Sequence, residues 1–219
     1  IIEQFDDFWV GMSLGSRSLG FYSRAYEFAQ YPRRSVSDPI VNVLFATFAK
    51  VQDDRLRLSK AYFRVASLVI RVGFLLAGTL VLAANEFVRL FLGVKWVPMV
   101  LTFQIMVVYT LLYPLLSVSG YLAAACGHPE FNTRVRVAQT IYFVPAVIFA
   151  SRLWGINGVA AATDTMLLIG LALSLHQIRK LVDVSLWRML AVPTLALLVA
   201  GLASWQLSTP ASDSTLIQL

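Results

Sequence analysis

The sequence has few charged side chains, two histidines and one cysteine among its 219 residues. Charged residues make up 14% of the chain and hydrophobic residues 58%, whereas a soluble domain carries roughly 25% charged and about 45–50% apolar residues. This composition excludes a disordered chain, a nucleic-acid-binding protein and an ordinary soluble enzyme. A single cysteine, Cys126, cannot form an intrachain disulfide, and with two distant histidines it does not make a structural zinc site.

The sequence also lacks the short motifs of several common catalytic sites. It contains no phosphate-binding glycine loop followed by lysine, no HExxH and no CxxC. We therefore predict no enzymatic activity, no catalytic residue, no cofactor and no metal site. The chain begins at Ile1, with neither a methionine nor a signal-peptide pattern, and we expect it to be a segment of a longer polypeptide.

Long apolar runs are the main feature that is present. A membrane-spanning helix needs about 20 mostly apolar residues. Five runs reach or approach this length, at 65–84, 97–126, 135–151, 153–175 and 189–207. Closely spaced runs of this length do not resemble barrel strands, and helices close their backbone hydrogen bonds within lipid. The sequence predicts an all-α, polytopic transmembrane helical bundle, with a short polar tail at 208–219.

The first sixty residues are less regular. Residues 1–15 are typical of the end of a helix, and a turn is indicated at 15–18. Residues 19–51 are apolar on both sides of the segment 32–39, which contains two prolines and two arginines. Two interpretations stay open: one long span broken near its middle, or two short helices joined by an exposed basic loop. We favour the broken helix over 19–51, which would need a protein neighbour or a watery cavity at its break.

The positive charges give the bundle an orientation. Ten of the 18 Lys and Arg residues lie in the connections 50–64, 127–136 and 176–188, which the proposed spans place on one side of the membrane. Four lie in the opposite connections and four within proposed spans. Because the richer set marks the cytoplasm, we predict a multi-pass membrane protein with these three connections on the cytoplasmic side.

A series of short motifs extends over most of the chain. They are Asp6-Asp7-Phe8-Trp9-Val10-Gly11, Leu19-Gly20-Phe21-Tyr22-Ser23-Arg24-Ala25-Tyr26, Phe48-Ala49-Lys50-Val51-Gln52-Asp53-Asp54, Leu92-Gly93-Val94-Lys95-Trp96, Gly127-His128-Pro129 and Gly155-Ile156-Asn157-Gly158. In this order and spacing the chain resembles the C-terminal half of bacterial oligosaccharide flippases. These are the Wzx-type lipopolysaccharide and exopolysaccharide exporters of the multidrug/oligosaccharidyl-lipid/polysaccharide superfamily.

The resemblance implies a two-lobed, multi-pass transporter of the bacterial cytoplasmic (inner) membrane that acts in cell-surface polysaccharide biosynthesis. Its substrate would be an undecaprenyl-diphosphate-linked oligosaccharide, moved from the cytoplasmic to the outer leaflet. The other partners implied are membrane lipids and the N-terminal half of the same chain, with no nucleic acid. We weigh two alternatives: a cation-coupled drug or metabolite antiporter of the same superfamily, and a membrane glycan polymerase or ligase.

Two adjacent arginines are the first candidates for substrate binding. A diphosphate cannot cross hydrocarbon unaided, and transporters place binding groups at broken helices near the bilayer midplane. Arg33 and Arg34 lie in the proposed break, and the planar guanidinium forms two parallel bonds with phosphate oxygens. The alternative is that both arginines lie in an exposed loop or reach the interface.

Four further residues are weaker candidates for substrate contact. Arg24 lies three residues before Glu27, so the two share a helix face and can form an intrahelical pair instead. Arg71 lies about six residues into its apolar run, within snorkelling distance of the interface. Tyr22 and Tyr26 share a face and could stack on sugar rings or join the interfacial aromatic belt.

Three acidic residues are candidates for ion coupling, because relatives in the superfamily couple export to sodium or protons. Asp164 lies near the middle of a proposed span, and Asp6 and Asp7 lie in the first helix. A carboxylate in a water-poor cavity can bind and release a proton. Asp164 could instead accept hydrogen bonds from the neighbouring Thr163 and Thr165 or pair with an arginine.

Overall fold

The computed structural model describes residues 2–39 and 44–208, and all regular structure in these two ranges is helical. The α-helices are α1 (Ile2–Leu14), α2 (Ser16–Pro32), α3 (Leu44–Ala49), α4 (Arg55–Leu82), α5 (Ala84–Phe91), α6 (Val100–Ala125), α7 (Glu130–Ile178) and α8 (Leu186–Ser208). A π-helical turn, Arg33–Ser37, continues α2, and a 3₁₀ segment, Val94–Met99, leads into α6. The all-α prediction is confirmed. Part of the break in 19–51 lies outside the described residues, at 40–43.

Helix α7 reverses direction near its centre. Gly155 has a positive φ of 57°, a left-handed conformation that glycine adopts without a Cβ clash. Residues on either side of it pair across the turn: the Tyr142 and Thr165 hydroxyl oxygens lie 2.7 Å apart, and Gln139 Nε2 donates to the Met166 carbonyl at 3.2 Å. The helix is therefore an antiparallel hairpin with a first half at 130–153 and a second half at 156–178.

Several helices have the length and apolarity to cross a membrane. Within the described residues these are Arg55–Leu82, Val94–Ala125 and Glu130–Ile178, the last being the hairpin, with a shorter apolar helix at Trp187–Gly201. Each half of the hairpin is more than 20 residues long, enough for about 30 Å of hydrocarbon. The chain is a multi-pass membrane protein.

Helix α4 begins ten residues before its apolar run. The Asp54 side chain accepts a hydrogen bond from the Arg57 backbone N–H at 3.0 Å, which caps the helix at its N-terminus. Arg55 then binds Asp183, ahead of α8, with 3.0 Å between Nη2 and Oδ1. Capping and polar contacts at the membrane surface set the start of this helix, and the apolar run alone does not reveal it.

Two hydrophobic clusters lie at opposite ends of the bundle. The first contains Phe48, Tyr62 and Leu122 and adjoins the connections rich in Lys and Arg; we call this the basic end. The second contains Val88 and Phe103 and lies at the other end, beside α5 and the turn of the hairpin. The polar side chains described next lie along α6 and α7 between these clusters.

Candidate functional site

Helices α3, α6 and α7 enclose a cavity of about 390 Å³ between the two clusters. We call it the central cavity. Its lining residues are Phe45, Tyr109, Tyr113, Leu116, Ser117, Gly120, Tyr121, Ala124, Asn132, Val135, Arg136, Gln139 and Met166. Along α6 the cavity extends from Tyr109 to Ala124, about 22 Å at 1.5 Å per residue. It therefore runs from within the membrane toward the basic end.

One wall of the central cavity is a stripe of aromatic and hydroxyl side chains on α6. Tyr109, Tyr113, Ser117 and Tyr121 are spaced four residues apart and share one helix face. The rings of Tyr109 and Tyr113 stack with centroids 5.2 Å apart. An aromatic surface of this kind can pack against the apolar faces of sugar rings.

The opposite wall is polar and belongs to the first half of the α7 hairpin. Asn132, Arg136 and Gln139 line it at helical spacing. Asn132 Nδ2 donates to the Gly120 carbonyl at 3.0 Å, and a Cβ at Gly120 would lie only 3.0 Å from Asn132 Oδ1. Gly170 similarly leaves room for Gln139. The two glycines let these amide side chains pack tightly against neighbouring helices.

Arg33 lies against the aromatic wall, in the π-helical turn that follows α2. Its guanidinium carbon is 4.3 Å from the centroid of the Tyr113 ring, a cation–π arrangement. The side chain is only 15% exposed, and its Nε, which has no hydrogen-bond partner, lies 3.6 Å from Asp38 Oδ2. Arg33 is thus a half-buried cation at the edge of the cavity with a donor still available.

The other predicted arginines lie elsewhere. Arg34 is exposed and does not line the central cavity. Arg24 forms the intrahelical pair with Glu27, with 2.7 Å between Nη1 and Oε2 and both side chains about half exposed. Arg71 lines a separate groove between α4 and α8. Of the four predicted arginines, Arg33 is the one that contacts a lining residue of the central cavity, Tyr113, although it is not itself among the lining residues.

The structure buries Tyr22, which could stack on sugar rings or join the interfacial aromatic belt. Tyr22 is fully buried in the second cluster, and its hydroxyl donates to Asp6 Oδ2 at 2.7 Å. A ring without exposed surface cannot contact a sugar in this conformation. Tyr26 is half-buried and packs against the same cluster.

The three candidate acids occupy two different environments. Asp6 is 4% exposed and keeps one oxygen, Oδ1, without a hydrogen bond, while Asp7 accepts from Ser23 Oγ at 2.9 Å. Asp164, on the second half of the hairpin, also has a buried Oδ1 with no hydrogen bond. Unpaired buried carboxylate oxygens are costly, and such positions are candidates for binding a proton or a cation.

A short sequence pattern associated with hydrolases occurs at 11–15, where the letters read G-x-S-x-G. In a nucleophile elbow this serine stands on a sharp turn between a strand and a helix. Here Ser13 lies inside α1 and donates to the Trp9 carbonyl at 2.6 Å. The pattern is therefore part of a helix and not an elbow.

Comparisons with known proteins point to one family. Residues 1–101 match the family described as "Polysaccharide biosynthesis protein". Over 146 residues the chain is 31% identical to the "Lipopolysaccharide biosynthesis protein WzxC" of Escherichia coli (strain K12), a match that covers 67% of this chain and 30% of that protein. Nearly half of the chain is thus similar to this family, and two thirds of it is similar to the E. coli protein.

Two further matches are of the same kind. An "Uncharacterized membrane protein in cps region" of Klebsiella pneumoniae is 29% identical over 153 residues, 70% of this chain and 31% of that protein. Among solved structures, "Lipid II flippase MurJ, inward closed conformation" superposes with a TM-score of 0.77 and 16% identity, over 97% of this chain and 46% of that one. The chain therefore shares the fold of part of that structure, and it spans about a third of the length of the curated relatives or less.

Most of the residues that line the central cavity are not among the candidates predicted from the sequence. The sequence places Arg136 in a cytoplasmic connection, and Tyr109, Tyr113 and Gln139 within apolar spans. The signal was present: polar residues recur every three or four positions on the runs 109–121 and 132–139. Such a stripe on an otherwise apolar span predicts a face that avoids lipid.

Proposed function

We propose that this chain is part of a flippase that moves a lipid-diphosphate-linked oligosaccharide across the bacterial inner membrane during cell-surface polysaccharide biosynthesis. The observation that carries the proposal is the central cavity, where Arg136 lies on one wall and Arg33 contacts Tyr113, whose ring stacks on that of Tyr109. The names of the E. coli relative and of the MurJ structure support the substrate class. The chain contributes one lobe, the C-terminal half in our interpretation, and the other lobe completes the pathway.

The two arginines bind the diphosphate in this proposal. A charge at the bilayer centre costs roughly 2.5–3.5 kcal/mol even on insertion scales, so intramembrane arginines mark functional pathways. The guanidinium fork offers parallel donors to phosphate oxygens. Because the cavity extends from Tyr109 toward the basic end, the headgroup enters from the cytoplasmic side, and Tyr109 and Tyr113 support the sugar that follows it.

Movement follows from the two-lobed arrangement. In transporters of this kind one helix bundle rocks against the other around a central site. Hydrophobic clusters at the two ends keep this lobe rigid, so the cavity moves as a unit. We assign ion coupling to the buried acids Asp164 and Asp6, whose unpaired oxygens can take up a proton or contribute to a sodium site, with Asp7 beside Asp6.

The alternatives have less support. A drug antiporter that carries cations would need an acidic, aromatic cavity, whereas the charged residue that lines the central cavity is Arg136. A glycan polymerase or ligase would need a sizeable outer loop with catalytic charges. The connection between α4 and α6, by contrast, is the short amphipathic α5 and a 3₁₀ segment.

Export in living cells tests the proposal. In the complete protein, expressed in a strain without its own transporter, Arg33→Ala should abolish surface polysaccharide, because the half-buried guanidinium contacts the substrate. Arg34→Ala should have a smaller effect, because Arg34 is exposed. Arg57→Ala is the matched control, since Arg57 pairs with Asp54 at the membrane surface. Normal export by Arg33→Ala at normal protein level would refute the role of the cavity.

A further inference from the structure

A second depression lies on the outer surface of α4 and α8, apart from the central cavity. Two adjoining parts make it up, with volumes of about 800 Å³ and 250 Å³, and Arg71 lines both. We call it the α4–α8 groove. Its larger part lies near the basic end and is lined by charged and hydroxyl side chains among apolar ones, and its smaller part is mainly apolar. One end of the groove is charged and the other is apolar, which matches the headgroup and the acyl chain of a lipid molecule.

The larger part of the groove is lined by four positively charged side chains. Lys60, Arg64 and Arg71 follow one stripe of α4, at spacings of four and seven residues, and Arg188 faces them from α8. Within the described residues none of these four forms an ion pair, while the acid that lines the groove, Asp183, already binds Arg55. Unpaired positive charges at the cytoplasmic surface of a membrane protein attract anionic lipid headgroups.

Ser67 provides an independent sign of a missing partner. It lies between Arg64 and Arg71 on the groove wall, is 6% exposed, and its hydroxyl has no hydrogen bond. A helical serine commonly donates to the carbonyl four residues earlier, as Ser59 does to Arg55 at 2.7 Å. An anionic oxygen in the groove would supply the acceptor that Ser67 lacks.

The apolar part has the length of one acyl chain. Phe74, Leu75, Gly78 and Leu82 on α4 face Val192 and other apolar residues on α8. From Arg71 to Leu82 the groove extends about 16 Å at 1.5 Å per residue, close to half of the ~30 Å hydrocarbon core. The groove is therefore deep enough for a chain from a single leaflet.

We propose that the α4–α8 groove binds one anionic phospholipid from the cytoplasmic leaflet. Helical side chains lean toward the helix N-terminus, so Arg71 reaches back toward Arg64 and the two hold the phosphate with Arg188. The acyl chain lies along the apolar part. This site is separate from the substrate cavity, and the proposal does not depend on which glycan the complete protein moves.

Lipid binding to the complete protein, purified in detergent, tests this site. Native mass spectrometry would compare retention of phosphatidylglycerol with that of phosphatidylcholine and undecaprenyl phosphate. We expect the double variant Arg64→Gln/Arg71→Gln to bind phosphatidylglycerol at least about tenfold more weakly, at roughly 1 kcal/mol per removed charge. The control is Arg134→Gln, an exposed arginine that lines neither depression.

A second variant tests the apolar part without changing charge. Leu75 is 71% exposed at the groove, and Leu75→Trp should block the acyl chain and weaken phosphatidylglycerol binding while the protein stays folded by size-exclusion chromatography. Unchanged phosphatidylglycerol binding in both variants would refute the proposal. Retention of phosphatidylcholine equal to that of phosphatidylglycerol would also refute it, because such binding needs no anionic headgroup. A preference for undecaprenyl phosphate over phosphatidylglycerol would refute it as well, because it would indicate a substrate site.

Discussion

Two arginines two residues apart on the first half of the α7 hairpin allow a sharp test of the central cavity. Both arginines are exposed, but Arg136 lines the cavity and Arg134 does not. Both have the same charge, lie on the same turn and are near the basic end. Arg136→Gln should weaken binding of the lipid-linked oligosaccharide, and Arg134→Gln should not.

The size of the effect follows from the type of contact. A hydrogen bond to a charged group contributes about 1.5–3 kcal/mol, and a tenfold change in affinity corresponds to about 1.4 kcal/mol. Arg136→Gln removes one such contact with the diphosphate and keeps a side chain of similar length. We therefore expect the dissociation constant to rise about 10- to 150-fold.

The measurement is equilibrium binding of a fluorescent lipid-linked oligosaccharide to the complete protein in nanodiscs. It is made at two salt concentrations, because screening weakens general attraction to the basic end more than a contact inside the cavity. An equal loss of binding affinity in Arg136→Gln and Arg134→Gln would show that only the overall charge of the basic end contributes to binding. That outcome would refute the assignment of the cavity as the headgroup site.

Two further predictions concern stability. Gly158→Ala should destabilise the protein by about 3 kcal/mol, because the added Cβ would overlap the Ala150 carbonyl oxygen across the hairpin. The control is Gly20→Ala, which should be neutral or slightly stabilising because no atom lies within 4 Å of the added Cβ. Tyr22→Phe should cost about 1–3 kcal/mol, since it leaves the buried Asp6 without its 2.7 Å donor. Thermal unfolding in detergent measures all three variants. Melting temperatures of Gly158→Ala and Tyr22→Phe equal to that of the unsubstituted protein would contradict both assignments.

Much of the architecture could be predicted from the sequence because a span depends on local composition. An apolar run of about 20 residues has a strong preference for hydrocarbon wherever it lies in the chain. This explains why the helical, multi-pass character was predicted correctly. Helix starts were less predictable, because the cap at Asp54 adds the ten residues 55–64, several of them charged, to the start of α4.

The candidate site could be predicted only in part. Arg33 was identified because an arginine within an apolar segment is conspicuous by itself. Arg136 and Tyr109 are 27 residues apart in the sequence and lie on helices of different direction. They share a cavity because α6 and α7 pack with these faces toward each other. No local pattern specifies which helix a polar stripe faces.

Burial was likewise decided by tertiary packing. Tyr22 and Tyr26 share a helix face in the sequence, yet Tyr22 is enclosed by α1 and bound to Asp6, while Arg71 faces α8 instead of the cavity. The sequence by itself determined which segments cross the membrane, because hydrocarbon acts on each segment's composition. The tertiary structure alone determined which polar groups meet, because that depends on how each helix is rotated about its axis against its neighbours.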